Sequence, residues 1–118
     1  MKGKYKNHNQ SILTEQSLYL ETRNDNHLVN MYYVFIEMGS NMIKDYITRK
    51  KLIWTKEDIE IKAHDMATFV IQRFLTDKDF FIHSTPSGYF RNSAFLKIMF
   101  QYSHIEKLSK PLEVIKND

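Results

Sequence analysis

The apolar residues fall into four helical stretches separated by polar or turn-forming segments. The first, Ser11 to Arg23, carries Ile12, Leu13, Leu18 and Leu20 and ends in Asn24-Asp25-Asn26, which supplies capping side chains for the next helix. From His27 to about Arg49, Leu28, Tyr32, Phe35, Gly39, Met42, Ile43 and Tyr46 recur at the three- and four-residue steps of one helical face. Gly39 lies on that stripe. It lowers helix propensity by about 1 kcal/mol relative to Ala but lets a neighbouring helix approach closely.

Thr55-Lys56-Glu57-Asp58 predicts a capped third helix, with two acids in the first turn where the helix dipole favours negative charge. Ile59, Ala63, Met66, Val70 and Phe74 then form a narrow apolar arc, with Asp65, Thr68 and Gln72 roughly opposite, and the helix runs to about Leu75. The loop from Thr76 to Thr85 holds Phe80-Phe81-Ile82, an apolar insert expected to tuck beneath the bundle and help fix the fourth helix. Thr85-Pro86 starts that helix, because proline lacks an amide hydrogen where none is needed. It is expected to reach about Leu108.

At 100° per residue the fourth helix shows two partly apolar arcs, one of Tyr89, Leu96, Met99 and Phe100 and one of Ala94, Ile98, Tyr102 and Ile105. Between them lies an arc of Phe90, Lys97, Gln101 and His104, which combines an aromatic, a cation and two hydrogen-bonding groups. Pro111 ends the regular structure. The expected architecture is all-α, a compact three- to four-helix bundle formed by residues 11–109. Residues 1–10 form a basic flexible arm carrying Lys2, Lys4 and Lys6, and residues 110–118 form a tail.

Composition narrows the class. A chain of 118 residues has room for one domain, and 3 Gly with 2 Pro disfavour closely spaced turns, hence barrels and sandwiches. No apolar run approaches the ~18 residues of a membrane span, and no export leader is visible. The absence of Cys fits a reducing compartment, so a cytoplasmic location is expected. Seventeen basic against 14 acidic residues permit a nucleic-acid partner without demanding one. The five His include no pair four apart on a helix, and no glycine-rich phosphate loop occurs. His64-Asp65 alone lacks the further ligands that metal-dependent hydrolysis needs. Neither an enzyme, a metal nor a cofactor is expected.

Three segments carry a family resemblance. Tyr33 to Tyr46, YVFIEMGSNMIKDY, is similar to the first helix of the second-region domain of bacterial sigma factors. Glu57 to Leu75 resembles the family's next helix, with Ala63, His64 and Asp65 standing where the family often has Ala, Gln and an acid. Phe81 to Asn92, FIHSTPSGYFRN, resembles its aromatic loop and the start of the following helix. The spacing of the blocks also resembles short late-transcription sigma-like proteins of tailed phages, and the likeness covers about Leu28 to Phe100.

The resemblance implies a sigma-like initiation factor, acting in a bacterial cell or phage-infected host, that binds core RNA polymerase and engages promoter DNA at the melted minus-ten element. On the polymerase side it implies Asp58, Ile61, Asp65, Thr68 and Gln72, a mixed apolar and acidic patch suited to a basic partner helix. Asp58 and Asp65 also read as ordinary solvated charge. On the DNA side it implies Tyr89 and Phe90 as stacking aromatics, where one contact is worth about 1–3 kcal/mol per base. Arg91 and Lys97 would follow phosphates, and Gln101 with His104 would offer hydrogen bonds.

Tyr89 fits core packing better, because it shares an arc with Leu96 and Phe100; Phe90 is the DNA-facing candidate. Tyr89-Phe90 stands where the family has stronger tryptophans. No upstream-reading domain fits in Lys110 to Asp118, so a second factor is expected to supply that function. The alternative is a helical accessory or interaction protein that grips polymerase or another protein without contacting DNA. An exposed surface of Phe95, Ile98 and Tyr102 would favour that class.

Overall fold

Helix α2 (Asp25–Lys50) is the longest element among the described residues and forms the centre of the fold. Asn24 caps it by accepting a hydrogen bond from the Asn26 amide, Asp25 complements the dipole in the first turn, and Arg49 and Lys50 do so in the last. The computed structural model describes residues 3–100, which form an all-α globule of four helices; no strand occurs among the described residues. Leu28, Phe35, Met42 and Ile43 are buried as the stripe predicts, joined by Met31 and Met38, while Tyr32 and Tyr46 sit half-buried at its margins.

Helix α3 (Lys56–Thr76) packs along α2. Its start is a reciprocal capping box: Thr55 Oγ1 accepts from the Asp58 amide, and the Asp58 carboxylate accepts from the Thr55 amide. Ala63, Met66, Val70 and Phe74 are buried as expected, with Ala67 beside them. The small residues meet at the α2–α3 crossing. A Cβ added to Gly39 would lie 3.5 Å from Ala63 Cα and Cβ and from Met66 Sδ, so the close approach expected at Gly39 is made against Ala63.

Helix α1 begins at Lys6 and ends at Thr22, packing on α2 and reaching α4. The expectation of a flexible arm over residues 1–10 is therefore corrected: Lys6 to Gln10 is helical, and Tyr5 is buried. The seam holding it is Tyr5, Ile12 and Tyr19, seven residues apart, with Gln16 between them; all four are buried. Leu13 is exposed, and Leu18 with Leu20 is only half-buried, so the contacts of α1 rest on aromatics and an amide more than on leucines. Lys4 pairs with Asp45, His8 with Glu37 at 2.6 Å, and His27 with Glu15 at 2.7 Å, each contact joining the α1 segment to α2.

The loop after α3 inserts as expected. Phe80 and Ile82 are buried, Phe81 is half-buried, and Phe80 packs edge-on against Phe74 at 4.8 Å. Gln16 clamps the insert: its Nε2 donates to the Ile82 carbonyl at 2.9 Å, and its Oε1 accepts from the Ile82 amide at 3.0 Å.

Helix α4 (Pro86–Phe90) starts at the predicted Thr85-Pro86 signal and passes into a π-helical turn over Arg91–Phe95, after which helical backbone continues through residue 100. In that turn the Leu96 amide donates to the Arg91 carbonyl, one residue further back than in an α-helix. The two arcs expected at 100° per residue therefore do not persist. Phe90, Ala94, Phe95 and Met99 are buried, whereas Leu96 and Phe100 are exposed. The expected end near Leu108 and the tail lie outside the described residues. No helix among the described residues is long and apolar enough to cross a membrane.

Candidate functional site

Helix α3 presents its outer side as a continuous face. Ile61, Asp65, Thr68 and Gln72 follow at steps of four, three and four, which in a regular helix keeps them on one arc. Ile61 and Gln72 are exposed, and Asp65 and Thr68 are half-buried. Asp58 is exposed on the first turn, where its carboxylate also completes the cap. Leu75, 53% exposed, continues the arc at its far end, so two unburied aliphatic residues bracket a polar, acidic middle. Ile53, 98% exposed in the α2–α3 linker, adds an apolar residue near the start of this helix. Its exposure could not be read from the chain, because nothing local distinguishes it from a core isoleucine.

His64 flanks this face and is held from both sides. Its Nδ1 shares a 2.6 Å hydrogen bond with the Tyr32 hydroxyl, and its Nε2 lies 3.4 Å from Thr68 Oγ1. The imidazole is thus tied to α2 and to the middle of the exposed arc. No group of three or more His, Asp or Glu side chains suited to a metal converges among the described residues.

The described residues among those expected on the DNA side do not form one surface. Phe90 is fully buried, its ring stacked on Phe35 with centroids 5.0 Å apart and planes 9° from parallel. The expectation that Phe90 is the exposed stacking aromatic is corrected: it belongs to the core. The physical reason is the packing of α4 on α2, which turns Phe90 onto Phe35, and the π turn that follows separates Phe90 from Lys97, so the arc counted at 100° per residue does not hold across it. Tyr89 is half-buried, with its ring 5.8 Å from Phe80, in accord with core packing.

Arg91 and Lys97 are both exposed but have different neighbours. Lys97 Nζ lies 5.8 Å from the centroid of Phe69 on α3, whereas Arg91 faces the start of α1. Gln101 and His104 lie outside the described residues. Of the alternative apolar surface, Phe95 is corrected to a core position, buried against Tyr46; Ile98 is half-buried, and Tyr102 lies outside the described residues.

Arg91 instead lines an open cavity of about 300 Å³ with Lys4, Tyr5, Asn9, Thr85, Ser87 and Gly88. Asn9 Oδ1 accepts from the Ser87 amide at 2.7 Å, fastening the start of α4 to α1. Burial pushes the Tyr5 phenol above its ordinary pKa, against the downward pull of Lys4 and Arg91, so the hydroxyl keeps its proton. That hydroxyl is buried and has no hydrogen-bond partner among the described residues, an arrangement that costs about 1–3 kcal/mol.

The sequence signal for Tyr5 was its seven-residue spacing from Ile12 and Tyr19, obscured by the surrounding Lys and Asn. No protein-family model, characterised protein or solved structure matches this chain.

Proposed function

We propose that this chain is a sigma-like transcription factor that docks core RNA polymerase through the outer face of α3 and engages promoter DNA near the minus-ten element. The observation that carries the proposal is the shared outer arc of Ile61, Asp65, Thr68 and Gln72, exposed at its ends and half-buried at Asp65 and Thr68, with Asp58 at its start. A mixed acidic and aliphatic strip complements a basic amphipathic helix. Desolvated Ile61 and Leu75 would supply contact area, and Asp65 would supply orientation. The DNA side rests on the exposed cations Arg91 and Lys97.

The burial of Phe90 favours a second reading, in which the chain is an accessory protein that grips polymerase without capturing DNA. Co-purification of tagged protein with core RNA polymerase, followed by binding to a fork-junction promoter probe, separates the two. The sigma-like reading requires that wild type bind core and that Asp65→Lys lose it. It also requires that Arg91→Gln with Lys97→Gln keep core binding while weakening the fork complex about tenfold or more. Core binding with no affinity for the fork makes the accessory reading correct. Folded protein that binds neither sinks both.

A further inference from the structure

We propose that single-stranded nucleic acid lies along the seam between α3 and α4, with its phosphates on Arg73 and Lys97 and a base stacked on Phe100. The inference deepens the DNA side of the proposed function and rests on that reading only for the strand being promoter DNA. The side chains involved form one continuous strip. Phe69 and Arg73 stand one turn apart on α3, and Lys97 reaches across the seam to lie 5.8 Å from the Phe69 ring centroid. Beyond the π turn the backbone is helical, so Leu96 and Phe100 are one turn apart and Lys97 lies beside both. Phe100 is 73% exposed and Leu96 51%.

Rings, not carboxylates, hold the two cations. The Arg73 guanidinium carbon lies 4.7 Å from the Phe80 ring centroid, as Lys97 lies over Phe69. Neither cation forms an ion pair with a described residue, although Asp77 follows Arg73 by four positions and Asp65 precedes Phe69 by four. Lys4, by contrast, is paired with Asp45. A ring face orients a cation without neutralising it, so Arg73 and Lys97 keep their charge for an anionic partner.

The ring at the end of the strip selects the class of that partner. An acidic protein surface would answer the two cations but would leave Phe100 without a stacking partner, and a duplex keeps its bases stacked on one another. A single strand offers both phosphates and open π-faces, the combination that interleaved cations and aromatics bind.

Fluorescence anisotropy of a labelled oligothymidine, titrated with the full chain at several salt concentrations, tests the strip. Phe100→Leu, which keeps an apolar side chain and removes the ring, should weaken binding about tenfold and leave the salt dependence unchanged. Arg73→Gln and Lys97→Gln should each weaken binding and lower the slope of log affinity against log salt by ~0.7, the loss of one phosphate contact to a single strand. Arg73→Lys should restore the slope, which separates charge from packing on Phe80. All three positions are exposed, so the Tm of each variant should match wild type.

Poly-glutamate that competes as well as the oligonucleotide overturns the nucleic-acid assignment in favour of an acidic protein. Equal affinity for duplex and single strand overturns the stacked base. Absence of binding by folded protein, or wild-type affinity in both Phe100→Leu and Arg73→Gln, overturns the strip. Strand binding with the expected losses but no binding to core polymerase sinks the sigma-like reading alone, whereas core and fork binding that survive Phe100→Leu and Arg73→Gln at full affinity sink the strip alone.

Discussion

The side-chain amide of Gln16 pairs with both backbone groups of Ile82, in the manner of one rung of a sheet, 66 residues away in the chain. Both partners are buried, so these bonds satisfy polar groups that water does not reach. They also fix the Phe80–Ile82 insert against α1. Gln16→Leu, which keeps the volume and removes both bonds, should cost about 2–4 kcal/mol, because two buried backbone groups lose their partners. Urea denaturation followed by circular dichroism measures it; a loss below about 0.5 kcal/mol would show that water satisfies Ile82.

Phe90→Ala should behave as a core deletion. Its ring is wholly buried on Phe35, and truncation of such a residue costs about 3–5 kcal/mol through lost transfer energy and the cavity left behind. A thermal melt decides the matter: an unchanged Tm would mean that the ring is exposed in solution and restore it as a stacking candidate.

Gly39→Ala should be tolerated or mildly stabilising. The added methyl meets Ala63 and Met66 at 3.5 Å, an ordinary contact, while the helix interior gains up to about 1 kcal/mol in propensity. Gly39→Leu should instead separate α2 from α3 and lose about 1–3 kcal/mol to overpacking. Comparing the two midpoints in one denaturant series tests the crossing, which fails as an explanation if Leu is accommodated as readily as Ala.

Lys51 ends α2 in the left-handed region, with φ 56° and ψ 41°. A residue with a Cβ is disfavoured there by about 1–2 kcal/mol, a penalty glycine does not carry. Lys51→Gly should therefore stabilise the protein by about 1 kcal/mol despite adding freedom to the unfolded chain. An unchanged or lowered Tm would indicate that the Lys51 side chain makes a compensating contact.

The candidate docking face was legible in the sequence, and the candidate DNA cluster was not. Asp58, Ile61, Asp65, Thr68 and Gln72 lie on a regular α-helix with a complete capping box, so counting at 3.6 residues per turn puts them on one arc. Phe90 and Lys97 lie on opposite sides of the π turn, where the same count accumulates error. Tyr5 was obscured for a different reason: flanked by lysines, it looks like solvated chain until Ile12 and Tyr19 are seen to continue its seam across the face of α2.

By itself, the sequence determined the helical class, the starts of α3 and α4, the buried stripes of α2 and α3, and the burial of the Phe80–Ile82 insert. Each follows from local rules of capping, periodicity and hydrophobicity that act over a few residues. Only the tertiary structure decided that α1 begins at Lys6, that Gln16 clamps Ile82, that Phe90 stacks on Phe35, and that Lys4 and Tyr5 meet Arg91. These depend on contacts between distant segments and on one irregular turn, whose energies no local pattern of residues encodes.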